Sequence, residues 1–106
     1  MEFIGRDPTH VFGSIHGTGF NHSNAYQNNA GFSNDFHTYA VNWQPDRIEY
    51  YFDDQIYATD TPAVVGGKWA FNNNSMFILL NLAVGGNWPG KMIAQHSSLK
   101  ISLLTT

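Results

Sequence analysis

The sequence predicts an all-β fold, an antiparallel sandwich or barrel, on three observations. Helical periodicity is nearly missing, short runs rich in aromatic and β-branched residues recur, and clusters of Gly, Asn, Asp and Pro separate them. The first clear strand is "THVFGSIH", whose alternation puts His10, Phe12, Ser14 and His16 on one face and Val11 and Ile15 on the other. The polar stretch "GTGFNHSNAYQNNAGFSND" that follows reads as a long loop, and loops of that length in compact domains commonly carry function.

"FHTYAVNW" is the next strand, turned by "QPDR", where Pro45 supplies the fixed φ a tight turn wants. "IEYYFD" runs back with Ile48, Tyr50 and Phe52 on one face and Glu49 and Tyr51 on the other. "DDQ" then turns into "IYAT", completing a three-stranded antiparallel meander over residues 36–59. Beyond the loop "TPAVVGGKWAFNNN" lies "SMFILLNLAVGG", apolar enough to read as a central strand covered on both faces, with Phe77, Leu79, Asn81 and Ala83 sharing one of them. No repeat or low-complexity tract interrupts the chain.

At 106 residues this is at most one small domain, short for an independent enzyme. With a net charge of −3, only five Lys plus Arg and no basic run, the chain shows no nucleic-acid footprint. It has no stretch near the roughly 18 apolar residues of a membrane span, and "MEFIGRD" is not a signal peptide. No cysteine is present, which excludes disulfides and thiolate metal sites. A 15% aromatic fraction beside abundant Asn and Gly, against 12% charged residues, fits uncharged hydroxyl-rich ligands such as sugars. Aromatic faces stack on sugar C–H patches while amides exchange hydrogen bonds with hydroxyls. An ordinary β-sandwich core is also aromatic-rich, so composition alone leaves both readings open.

Metal ligation by His10 and His16 is disfavoured, since six residues of strand separate them by roughly 20 Å. His37 and Tyr39 offer no third ligand, and Ser14, Ser23 and Ser33 sit in no nucleophile elbow. Glu2 is the carboxylate of interest, because its neighbours Met1 and Phe3 are apolar where those of Asp53 and Asp54 are not. A retaining glycosidase needs two carboxyl groups about 5 to 5.5 Å apart, and this stretch offers one.

The blocks "MEFIGRDPTHVFGSIHGTGF", "FHTYAVNWQPDRIEYYFDDQIY" and "FILLNLAVGGNWPG", in that order and spacing, resemble the C-terminal half of glycoside hydrolase family 16, in its laminarinase branch. The resemblance covers residues 1–91. It implies a concanavalin-like jelly roll of two curved antiparallel sheets with glucan across the concave one, here incomplete. It implies retaining endo-β-1,3-glucanase chemistry on β-1,3-glucan or mixed-linkage β-glucan, or, as a rival, a lectin-like module that binds glucan without cutting it. The family's motif is ExDxxE, and Glu2 matches its last Glu, the acid/base. Met1 matches an extra residue that must form a β-bulge to return that Glu to the cleft.

The nucleophile and assisting Asp of the motif would stand five and three positions before Glu2, outside this chain. By the same resemblance His16 matches a cleft histidine, and Asn81 and Trp88 match positions near the sugar subsites. Trp43 is either a further substrate contact or a core tryptophan, and Asn81 either touches sugar or satisfies its own hydrogen bonds within an apolar strand. The parent enzyme would be secreted or periplasmic, needing no catalytic cofactor. Lacking the preceding half, the chain is expected to be inactive alone and to self-associate through exposed strand edges.

The last segment, residues 92–106, departs from the family, which continues through an Asp-Ser-Thr-Thr-Phe-like stretch to a strand containing Val-Asp-Tyr. Read one frame over, the junction of Met92 and Ile93 must give GAT, which is Asp, and the later junctions permit the rest of both patterns. The tail is therefore expected to be an out-of-frame translation, which would also remove an Asp belonging to the family's structural calcium site. The nucleotide sequence checks this: an alternative frame encoding no such strand overturns the expectation.

Overall fold

A computed structural model describes residues 1–90. They form six strands in two three-stranded antiparallel sheets, β1-β2-β3 and β4-β5-β6. The first sheet comprises β1 (Glu2–Phe3), β2 (His10–Gly17) and β3 (Phe20–Gln27), the second β4 (Tyr39–Gln44), β5 (Arg47–Phe52) and β6 (Gln55–Asp60). This is the all-β sandwich that the alternating runs predict, in the incomplete form that the resemblance implies, and the meander falls where expected, from Tyr39 to Asp60.

Alternation decides which residues meet between the sheets. Val11 and Ile15 of β2 are buried, as are Ile48, Tyr50 and Phe52 of β5. Gly13 stands between them because the Tyr50 ring lies flat against its backbone: a Cβ there would sit 2.6 Å from the ring. Ile15, Ile48, Tyr50 and Val65 make one core cluster, and Val11, Phe32 and Phe52 a second. Val65 arrives on a 3-10 turn, Pro62–Val65, whose proline sits at the start where a missing N–H costs nothing. Phe32 comes from the β3–β4 connection, with its ring centroid 4.9 Å from that of Phe52 and its N–H bonded to the Pro8 carbonyl.

Two turns bear out their residues. Pro45 and Asp46 reverse the chain between β4 and β5, and Asp53 and Asp54 between β5 and β6. Both aspartates have positive φ (46° and 65°), the backbone a two-residue hairpin of matching twist needs and one that Asp tolerates. The Asp53 carboxylate accepts from the Thr38 N–H (2.9 Å) and pairs with His37 (2.8 Å), contacts that hold it below the usual carboxylate range.

The sheets are also joined by polar groups. Asp60, fully buried at the end of β6, accepts from Asn24 Nδ2 at 2.8 Å and from the Tyr50 hydroxyl at 3.2 Å. His22 Nε2 stands 3.5 Å from the same carboxylate. Burial first, and the Asp60 charge second, push the Tyr50 hydroxyl well above its ordinary value and that of Tyr57 up to about 12.

Two expectations are corrected. Residues 20–27, expected in a polar loop, are β3: Phe20, His22, Asn24 and Tyr26 turn inward and are half-buried, because the polar ones among them have Asp60 to bond. The run at residues 75–86, expected as a central strand, pairs with no strand among the described residues. A central strand needs a neighbour on each edge and a layer on each face, and neither sheet supplies them here. Phe77, Ile78, Leu79 and Leu80 are 76 to 90% exposed.

Asp60→Ala leaves the buried Tyr50 hydroxyl without its acceptor and the half-buried Asn24 amide with only the longer 3.5 Å bond to the Gly13 carbonyl. It should cost about 2–4 kcal/mol, read as a lower urea midpoint, whereas Tyr50→Phe should cost less than half as much.

Candidate functional site

The outward face of the first sheet gathers the chemistry-bearing residues. Pairing sets Glu2 of β1 opposite Phe12 of β2, so both side chains stand on the same face, along with His10, Ser14 and His16. β3 adds Asn21, Ser23, Ala25 and Gln27 to that face. The Ser14 and Ser23 hydroxyls bond across the strands at 2.8 Å. Behind this face Val11 and Ile15 pack into the two core clusters already described, which anchors it as a platform.

Trp88 reaches the platform from outside it. Gly86 and Gly90 pair with each other, closing a five-residue loop with Trp88 at its apex. Its ring meets the edge of Phe12 at a centroid distance of 5.2 Å and 66° between planes, and remains 45% exposed. An aromatic surface thus lies beside the residue that faces Glu2. Phe12 was visible in the sequence as a member of the His10 face, but the contact with Trp88 joins residues 76 positions apart and has no local signal.

Glu2 differs from the bonded carboxylates Asp7 and Glu49. It is exposed and has no hydrogen-bond partner among the described residues. Asp7 is bonded to His10 and Thr9, which lowers its pKa, chiefly through the His10 bond. Glu49 accepts from Asn42, Arg47 and Tyr51 on the second sheet and is likewise lowered. The apolar neighbours of Glu2 do not enclose it, since Met1 and Phe3 are 40% and 47% exposed.

The remaining sequence candidates lie at unequal distances from this centre. His16 is exposed on the same face of β2, four residues along from Phe12, about 13 Å at strand rise. Asn81 is exposed in the unpaired run. Trp43 stands in β4 of the second sheet, its indole N–H donating to the Phe71 carbonyl at 2.8 Å. With Gln44, Pro45, Phe71, Asn72 and Asn74 it lines an open depression of about 300 Å³, separate from the Glu2 face.

The described residues contain no group of three or more His, Asp or Glu side chains that fits a metal ion. Residues 92–106, on which the calcium and frame expectations fall, lie outside the described part.

In a Trp43→Phe, Trp69→Phe background Trp88 is the sole indole. Phe12→Ala should then shift its emission to longer wavelength by several nanometres, and an unchanged spectrum would show that the two rings do not meet in solution.

A family model for glycosyl hydrolases family 16 matches residues 1–102. A beta-glucanase of Rhodothermus marinus is 32% identical over an alignment of 103 positions that covers 86% of this chain and 35% of that protein. A glucan endo-1,3-beta-glucosidase of Cryptopygus antarcticus is 34% identical, over 84% of this chain and 37% of its own length. A beta-1,3-glucan-binding protein of Penaeus monodon is 29% identical over 61% of this chain and 22% of its own. The chain thus spans about a third of the length of the first two. No solved structure matches it significantly.

Proposed function

The chain belongs to glycosyl hydrolases family 16, and from that premise we propose that it carries the acid/base side of a retaining endo-β-1,3-glucanase site. The substrate is laminarin-type β-1,3-glucan or mixed-linkage β-glucan. The observation that carries this reading is Glu2 on an exposed sheet face beside the Phe12–Trp88 aromatic pair. A sugar ring stacked on an exposed tryptophan puts its glycosidic oxygen at the level of the sheet surface, where a carboxyl without another partner is available to it.

In a complete site Glu2 donates its proton to the leaving glycosidic oxygen and then takes one from the water that releases the glycosyl-enzyme. Retention requires a second carboxylate about 5 to 5.5 Å away to act as nucleophile. Among the described residues Asp7 is engaged by His10, and every other Asp and Glu lies on the second sheet, its turns or the β3–β4 connection. These 106 residues by themselves therefore bind glucan with little or no turnover.

A second reading, a binding module that never hydrolyses, is favoured by the same single carboxylate and by the similarity to a beta-1,3-glucan-binding protein. The two readings separate on restoring the nucleophile. A family 16 polypeptide that supplies ExDx ahead of this chain should produce laminarin hydrolysis, lost on Glu2→Gln by about 10³-fold or more. Hydrolysis that Glu2→Gln leaves intact, or laminarin turnover by the 106 residues alone that Glu2→Gln abolishes, overturns the proposal. Trp88→Ala should weaken laminarin binding about tenfold, the loss expected of one stacking surface.

A further inference from the structure

Two surfaces of this chain lack what their composition requires. Residues 69–90 contain no Asp, Glu, Lys or Arg, and within them Phe77, Ile78, Leu79, Leu80 and Leu82 are 60 to 90% exposed. At about 100 Å² of apolar surface each, these five present about 500 Å², near the top of what a monomer leaves bare. β4 is the second surface. It pairs with β5 on one edge, and among the described residues no strand pairs with the other. Its six residues carry no charge, so nothing guards that edge against pairing.

The faces match as well as the edges. Tyr39, Val41 and Trp43 pair with Phe52, Tyr50 and Ile48 and so share the inner face of the sheet. They nonetheless remain 44 to 50% exposed, because the first sheet covers β5 and β6 and stops short of β4. In the apolar run, period-two alternation puts Ile78, Leu80 and Leu82 together on one face. Three side chains seek cover, and three uncovered side chains lie beside an open strand edge.

We propose that residues 77–82 of one copy add as a strand to the open edge of β4 in a second copy, reciprocally. Leu80 would lie beside Val41, and Ile78 and Leu82 would cover Tyr39 and Trp43. Because each copy has one donor run and one acceptor edge, the exchange closes with two-fold symmetry and leaves no β4 edge open. Within a single chain the run is held at both ends, by the Phe71 carbonyl on the Trp43 indole and by Trp88 on Phe12 of the other sheet. Counting Ile78, Leu80 and Leu82 with Tyr39, Val41 and Trp43 in both copies, at about 100 Å² each, the exchange hides on the order of 1,200 Å², the lower end of a specific interface. It is independent of the glucan-binding proposal, since Glu2 and Phe12 lie on the outward face of the other sheet.

The absence of cysteine makes the pairing directly testable. Chains carrying Val41→Cys and chains carrying Leu80→Cys, with distinguishable masses, are mixed and oxidised, and sedimentation of the unsubstituted protein is followed over micromolar concentrations. The expected result is a mixed disulfide between the two variants in excess of either self-pair, and a mass rising towards twice 11.9 kDa. Leu80→Lys should weaken that association tenfold or more while the β-sheet circular dichroism stays unchanged. Self-pairs alone, a Val41→Cys, Leu80→Cys chain that closes on itself as a monomer, or a constant monomer mass would each overturn the proposal.

Discussion

A carboxylate without access to water decides how the two sheets face one another. Asp60 ends β6 inside the sandwich, and its nearest partners come from β3 and β5. Such a group is tolerated only when its lone pairs are filled, so the position of the first sheet over the second is fixed to within hydrogen-bond length at that point. The apolar contacts around it are less particular. Val65, Ile15 and Ile48 would accept a shift of the sheets, but Asn24 and Tyr50 would not. The Tyr50 ring performs both tasks, packing on Gly13 and donating to Asp60.

The parts of this fold written in alternation were legible in the sequence. β2 and the β4–β6 meander follow from period-two patterning and turn residues, both local signals. β3 was missed because its inward positions include His22 and Asn24, which count as polar in any pattern. What turns them inward is Asp60, 36 positions beyond Asn24. The run at residues 75–86 failed for the opposite reason. Its hydrophobicity reports a demand for burial, and whether a layer exists to meet that demand is not encoded in the run itself. At the site, Glu2 and Trp88 were reached through resemblance, and Phe12 through strand alternation. Their assembly around one platform depended on the β1–β2 pairing and on the Gly86–Gly90 closure.

The two faces of the first sheet divide the labour. Its inner face is fixed by packing and by the Asp60 bonds, which leaves the outer face free to carry polar and aromatic groups at no cost to the fold. Glu2, Ser14, His16 and Ser23 make no contribution to the core, so chemistry on that face is separable from stability. The second sheet has no such free surface: its outer face is tied up by Glu49 with Asn42, Arg47 and Tyr51, and its inner face is only partly covered. Glu2 and the open β4 edge thus fall on different sheets, while the apolar run between them belongs to neither and ends at Trp88 on the Glu2 face.

Phe32 illustrates how little a loop's appearance says about its freedom. It lies in a stretch of Asn, Gly and Ser that composition would assign to a connector, yet it is buried among Phe3, Tyr26 and Phe52 and anchored by its backbone to Pro8. Insertions or deletions between Gln27 and Phe32 would pull this ring from the core, whereas residues 33–36 bear no such load. The connector is therefore two segments under different constraint: a stretch whose length the core fixes, and an adjoining one whose length it does not.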